Sequence, residues 1–277
     1  MMCEEKGKRQ EYKLIFLNIR NLTMKVGLEL SITLGTATGD DLINLVDRFV
    51  RFEPYMFTRK SKTQAWNERK HRKVIQTYNG DGFLAFSDRK WNSFSVGPTN
   101  KKHAYLSIRI TQEVDVFFPT ESDINRLLDL FPGLISAYLS NEEYVDIQSE
   151  IFSNNLDGRQ LPNELLDSIR KTPYKAGVHG REYDVRFNPG RLILMDYSWL
   201  LAAWKMWLAQ PFFVLVPKEK ILAFRHAVEI KELPSGVVYV QLFERLEESH
   251  TVDSMFRQWK WQEWLDFDSL IKNQDSW

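Results

Sequence analysis

Residues 25–34 read KVGLELSITL and place an apolar side chain at every second position. A period of two is typical of a β-strand, whose successive side chains point to opposite faces, so this stretch predicts a strand with one buried face. After a turn at 36–39, apolar residues recur at helical spacing, and Asp40 stands where a helix cap is expected. The chain therefore combines a strand pattern and a helix pattern within its first 50 residues.

The same two patterns recur along the chain. In the first half they predict further strands at 12–19, 83–86, 93–96 and 104–118 and a helix at 121–131. In the second half they predict strands at 192–195 and 212–216, a helix at 198–208, a helical turn at 218–224, a hairpin at 227–243, and a helix or helix pair at 252–271. Strands adjoin strands through short turns, which favours an α+β fold with largely antiparallel sheets and flanking helices.

The two halves share a loose order of elements. This order is compatible with two similar lobes, an N-terminal α+β lobe at 1–160 and a C-terminal α+β lobe at 161–277. It is also compatible with one continuous domain, because no sequence identity between the halves supports a true repeat.

Composition excludes several classes of protein. With 43% hydrophobic and 27% charged residues in 277, the chain is neither disordered nor collagen-like. Its 37 basic and 37 acidic side chains cancel, so overall charge gives no attraction to nucleic acid or membranes. The single cysteine, Cys3, excludes a disulfide scaffold. Because no signal-peptide or membrane-spanning pattern is found, we expect a soluble, cytoplasmic protein.

Charge is strongly segregated along the chain. Residues 1–112 hold 20 basic and 11 acidic side chains, whereas residues 113–167 hold 2 basic and 12 acidic ones. A patch of one sign speeds the encounter with a partner of the opposite sign. The acidic segment thus predicts a face that binds a basic protein partner, and its candidate residues are Glu121, Asp123, Asp129, Glu142, Glu143, Asp146 and Glu150. The alternative is a solvated helix face that pairs internally with the basic segments.

Three other stretches each have a functional and a structural interpretation. One interpretation of the basic residues 58–73 is a nucleic-acid site, in which they contact phosphates and Trp66 stacks on a base. The other interpretation is a solvated surface. The polar residues 175–195 have two interpretations as well, an enzyme cleft or ordinary cross-strand charge pairs. The cleft would be lined by His179, Arg181, Glu182, Tyr183, Asp184 and Arg186. The aromatic residues 256–267 fit a helix packed on a sheet or an exposed interface, with Trp261 lying off the face of the other aromatic residues.

No motif of known catalytic chemistry occurs in the sequence. The five histidines form no zinc-binding pattern, so we expect no metal site. Glycine-rich phosphate loops and the GxSxG nucleophile motif are absent, so we expect no cofactor and no acyl-transfer chemistry. The residues favour a protein that is not an enzyme, and the alternative is an enzyme of unrecognised type that uses the polar cleft near 179–186.

The order of elements resembles that of bacterial immunity proteins, which protect a producing cell from its own secreted toxin. The resemblance lies in GLELSITLG (27–35), DDLINLVDRFVRFEP (40–54), PGRLILMDYSWLLAAW (189–204), FFVLVP (212–217) and LPSGVVYVQLFE (233–244). In particular the chain is similar to the two-part α+β family paired with polymorphic or type VI-secreted toxins of the restriction-endonuclease-like class. The resemblance implies a stoichiometric inhibitor of a cognate toxin; if that toxin is a nuclease, the acidic segment would occupy its basic groove. It assigns no individual site residues.

Overall fold

The computed structural model describes residues 25–33, 35–98, 105–115, 119–142, 174–177, 180–183, 193–195, 198–249 and 251–272. Within these residues the fold is α+β, with helices flanking a large antiparallel sheet, which confirms the predicted class. The strand expected at 12–19 lies outside the described residues.

Fourteen strands occur in the described residues, and ten of them form one sheet. Those of the first half are β1 (Lys25–Thr33), β2 (Met56–Arg59), β3 (Lys62–Ala65), β4 (Leu84–Ser87), β5 (Ser93–Pro98), β6 (Tyr105–Glu113) and β7 (Leu134–Asn141). Those of the second half are β8 (Tyr174–Gly177), β9 (Gly180–Tyr183), β10 (Ile193–Leu194), β11 (Trp199–Leu200), β12 (Lys205–Leu208), β13 (Glu229–Glu232) and β14 (Val238–Gln241).

The order of strands in the large sheet is β13-β14-β12-β7-β1-β6-β5-β4-β2-β3, and every neighbouring pair is antiparallel. Strands β8 and β9 form a separate hairpin, as do β10 and β11. Because β7 pairs with β12, strands from both sides of residue 160 share one hydrogen-bonded sheet.

Six α-helices flank the sheet in the described part of the chain. They are α1 (Gly39–Phe49), α2 (Glu68–Gln76), α3 (Glu121–Leu130), α4 (Lys218–Leu222), α5 (Val252–Leu265) and α6 (Phe267–Lys272). Short 3-10 helices occur at Gln210–Val214 and Leu246–Glu248. The expected hairpin at 227–243 and the C-terminal helix pair are both present, and the pair is divided by Asp266, which adopts a left-handed conformation with φ 61°.

Strand β1 is buried on both faces, so the expectation of one buried face is wrong. Its residues 26–32 are all buried. The alternate apolar side chains enter one core with α1, which contributes Leu42, Leu45 and Phe49. The opposite face, which carries Glu29 and Ser31, is covered by the segment around Trp199, whose backbone N–H donates to Ser31 Oγ at 3.4 Å.

Two predictions for the second half are wrong. Residues 198–208 contain β11 and β12 instead of a helix, and residues 212–216 begin in a 3-10 helix instead of a strand. Strand β12 lies between β7 and β14, and Met206, Trp207 and Leu208 are fully buried there. A continuous apolar run of this kind fits a buried helix and a buried strand equally well, because periodicity does not separate the two.

Helix α1 packs closely against α2. The cap of α1 is Thr38, not Asp40 as predicted, and it forms a capping box with Asp41. Gly39, the first residue of the helix, lies so close to Gln76 of α2 that a Cβ at this position would overlap the Gln76 backbone carbonyl. A glycine is therefore required by the close approach of two backbones.

We expect Gly39→Ala to destabilise the protein, because a backbone carbonyl cannot rotate away as a flexible side chain does. The expected loss is roughly 1–3 kcal/mol of unfolding free energy, the usual cost of overpacking. Chemical denaturation measures it. The control is Ser122→Ala, an exposed position in the first turn of α3, which should change stability by less than about 0.5 kcal/mol. Equal stabilities of the two variants would contradict the packing argument.

Candidate functional site

Two of the predicted acidic residues bind groups of this chain. Glu121, the first residue of α3, lies 3.3 Å from Nζ of Lys231 and 3.8 Å from Nζ of Lys205. Asp123 accepts hydrogen bonds from the backbone N–H and the hydroxyl of Thr120, at 2.9 and 2.6 Å, and completes a capping box. The Thr120 side chain is the main cause that holds the pKa of Asp123 below its usual value. Both carboxylates therefore have structural roles within the chain.

The remaining acidic candidates are placed differently. Asp129 is exposed near the end of α3. Glu142 is only 4% exposed, and its carboxylate pairs with the guanidinium of Arg109. This corrects the expectation that Glu142 belongs to an exposed face: it occupies the space beside Gly27, where a Cβ would overlap its carboxylate. Three candidates lie outside the described residues and stay predictions: Glu143, Asp146 and Glu150.

A charge cluster, consisting of Glu29, Arg109 and Glu142, lies at the centre of the large sheet. We call it the buried charge cluster because both carboxylates are buried, whereas the Arg109 side chain is 34% exposed. Glu29 and Arg109 stand opposite each other on β1 and β6, and Arg109 Nε lies 3.8 Å from the Glu29 carboxylate. The same guanidinium pairs with Glu142, so one cation faces two carboxylates. Glu29 is 6% exposed. In such an environment each charge depends on the others for compensation.

Hydrogen bonds connect the buried charge cluster to the second half of the chain. Ser107 Oγ donates to the Glu29 carboxylate and accepts a bond of 2.9 Å from Trp199 Nε1. Tyr138, opposite Glu29 on β7, donates its hydroxyl at 2.6 Å to the backbone carbonyl of Trp199. Burial is the main cause that raises the pKa of Glu29 to about 7. Shifted carboxyls occur in active sites and in structural networks; because Glu29 is enclosed, we assign it to the second group.

Sequence reasoning missed this cluster for a definite reason. Glu29 stands between apolar neighbours on a strand with alternating hydrophobicity, so it reads as part of a solvated face. The available signal was the size of its same-face neighbours, Gly27 and Ser31. Small side chains on both sides of a charge permit a second layer to approach the strand closely.

An exposed aromatic surface lies at one end of the sheet. We call it the strand-end surface, and it consists of Lys25, Tyr55, Arg89 and Trp91. Trp91, in the turn between β4 and β5, is 74% exposed, and Tyr55, just before β2, is 44% exposed. The Arg89 guanidinium lies 4.3 Å from the centre of the Tyr55 ring, and Lys25 Nζ lies 5.4 Å from that of Trp91. Exposed Trp and Tyr next to Arg are typical of hot spots in protein interfaces.

The basic stretch 58–73 forms the end of β2, strand β3 and most of α2. The Trp66 ring packs among Phe57, His71 and Phe86, with centroid distances between 5.1 and 6.0 Å. This packing opposes the interpretation in which Trp66 stacks on a base, because the ring already contacts the core.

The C-terminal aromatic residues are mainly core. Trp261 is 1% exposed, although its spacing predicted a position off the face of the other aromatic residues. Trp264 is 42% exposed, and its Nε1–H donates to the Lys220 carbonyl at 2.7 Å. The stretch 179–186, where a cleft is predicted, contains strand β9, and the side chains that would line the cleft lie outside the described part, so the cleft stays a prediction. Within the described residues, no group of three or more His, Cys, Asp or Glu is arranged to hold a metal ion.

We expect Glu29→Gln to change the pH dependence of stability. The folded pKa of about 7 lies above the ordinary value of 4.5, so the unfolded chain releases this proton first and stability falls as pH rises between these values. Glutamine does not ionise. As the pH rises from 5 to 8, the unfolding free energy of the variant should therefore rise by roughly 2–3 kcal/mol relative to that of the parent. Urea unfolding at several pH values measures this difference.

The control for this experiment is Glu53→Gln, which removes an exposed carboxylate away from the buried charge cluster. Its stability profile should run parallel to that of the parent chain. A Glu29→Gln profile that is also parallel would show that the buried carboxyl does not titrate in this range.

Comparison with known proteins identified no relative of this chain. No protein-family model, curated protein or solved structure matches the chain. A helix with the length and apolarity that a bilayer crossing requires does not occur in the described part of the chain.

Proposed function

We propose that this chain is an immunity protein that binds a cognate secreted bacterial toxin in the cytoplasm and neutralises it, without catalytic activity of its own. The observation that carries the proposal is the strand-end surface, in which Trp91 is 74% exposed beside Tyr55 and Arg89. The resemblance of the sequence to immunity proteins, in the stretches quoted above, is the second argument for this function.

The energetics of the strand-end surface favour binding to a protein. A Trp or Tyr side chain removes about 150–250 Å² of surface from water when it is buried, which gives a large apolar contribution at little cost in side-chain entropy. Tyr55, Arg89 and Trp91 stand at the ends of paired strands, so their backbone is ordered before a partner arrives. Preorganisation of this kind reduces the entropic cost of association.

The acidic segment supplies a second part of the proposal. If the toxin is a nuclease, its substrate groove is basic, and a carboxylate surface on this chain would occupy it in place of phosphate. In the described residues Asp129 is the exposed candidate for that role, whereas Glu121, Asp123 and Glu142 bind groups of the chain. The strand-end surface therefore carries the proposal for the described residues.

The experiment is capture of the partner from the source cell, with this chain as bait at moderate salt. The expected result is a stoichiometric protein that is lethal when expressed alone and harmless when expressed with this chain. Capture of no such protein would reject the immunity function and would favour the enzyme alternative, which substrate screening with His179 and Glu182 variants would then test.

We expect Trp91→Ala to weaken binding of the captured toxin by at least about tenfold, because hot-spot truncations cost more than about 1 kcal/mol. Tyr55→Ala should act in the same direction. The control is Val214→Ala, which truncates an apolar side chain that is 62% exposed on the 3-10 helix Gln210–Val214. Calorimetry measures all three affinities. If Trp91→Ala binds as tightly as Val214→Ala, the toxin does not use the strand-end surface.

A further inference from the structure

The strand β3 forms an open edge of the ten-stranded sheet. It pairs with β2 on one side, and no strand of the described chain lies on the other. All four of its residues, Lys62–Ala65, are exposed. The strand at the opposite edge, β13, is mostly half-buried. Unpaired edge strands of this kind are ready templates for an added strand.

The register of the β2–β3 hairpin shows which backbone groups face outward. Arg59 pairs with Lys62 across a two-residue turn, and Phe57 pairs with Gln64. Trp66 N–H donates to the Tyr55 carbonyl at 2.8 Å, so alternate residues of β3 direct their backbone groups to β2. The backbone groups of Thr63 and Ala65 therefore point to the open edge.

The hairpin is held in this conformation by its turn. Lys60 and Ser61 both have positive φ, 46° and 67°, as the two central residues of a type I′ turn require. The Lys60 ammonium pairs with Asp81, and the Thr58 and Thr63 hydroxyls lie 3.0 Å apart across the strands. The open edge is thus preorganised, because the turn and these cross-strand contacts fix the position of β3.

The surroundings of this edge are cationic. Residues 58–73 contain seven basic side chains and one acidic one. Arg72 and Lys60 are neutralised by Asp47 and Asp81. Within the described residues the structure gives no ion pair to the other five: Arg59, Lys62, Arg69, Lys70 and Lys73. Lys70 Nζ lies 2.9 Å from Gln64 Oε1, so its charge stands directly beside β3.

We propose that β3 binds an extended, acidic segment of a partner protein as an additional antiparallel strand of the sheet. The partner's backbone pairs with Thr63 and Ala65, and its Asp and Glu side chains face Lys62 and Lys70. A second copy of this chain is a poorer occupant, because its own cations would meet those of the first. The inference does not require the partner to be a toxin, so it stands apart from the proposed function.

The first test is selection of peptides that bind the full chain from a random dodecapeptide library. The expected peptides alternate Asp or Glu with strand-forming residues and contain no central proline. Thr63→Pro removes the outward N–H without removing a backbone hydrogen bond to β2, and should weaken binding of the selected peptides by at least about tenfold. The matched control is Thr63→Val, which keeps the N–H, loses the bond to Thr58 and should bind as the parent does.

Hydrogen exchange in the unaltered chain gives a second readout that does not depend on folding of a variant. Bound peptide should slow exchange of the Thr63 and Ala65 amides and leave that of Gln64, already paired with β2, nearly unchanged. The proposal is overturned by selected peptides that are not acidic, by equal binding to Thr63→Pro, by failure to select any peptide, or by a concentration-dependent dimer that Thr63→Pro abolishes.

Discussion

The pairing of Arg109 with two buried carboxylates is the constraint on which the rest of the structure depends. Glu29 and Glu142 reach the same guanidinium from β1 and from the end of β7. Both carboxylates are buried, so Arg109 supplies the opposite charge that compensates them in the folded chain. The cluster thus links the three central strands, and a Cβ at Gly27 would overlap the Glu142 carboxylate.

The same cluster explains how the two halves of the chain are joined. A charge pair in the middle of a sheet needs a second layer that satisfies the remaining polar groups. Trp199 supplies this layer, since its indole N–H and its carbonyl bind Ser107 and Tyr138. The Ser136 and Ser198 hydroxyls, 2.8 Å apart, continue the contact. The pairing of β7 with β12 then extends the sheet into the second half.

Much of the fold could be predicted from the sequence, and the errors have a common physical cause. Elements whose apolar residues recur at a regular period were recognised, among them α1, α3 and β1, which is buried on both faces and whose core-facing side chains alternate with small or polar ones. Strand β12 was not recognised, because it and its Trp-rich neighbourhood form a continuous apolar run in which no period is visible. The buried charge cluster was not predicted, because a charged residue within a strand usually indicates a face that is exposed to solvent.

The candidate surfaces show why charge along the sequence differs from charge on the surface. The acidic segment 113–167 meets basic residues when the chain folds: Glu121 meets Lys205 and Lys231, and Glu142 meets Arg109. Beside β3, by contrast, Lys62 and Lys70 have no ion pair within the described residues, and Lys70 Nζ lies 2.9 Å from Gln64 Oε1. The exposed rings of Tyr55 and Trp91 lie at the ends of the strands, and Tyr55 adjoins β3 through the bond that its carbonyl accepts from Trp66. Neither of the two proposed surfaces, the strand-end surface and the open edge of β3, contains a residue of the acidic segment.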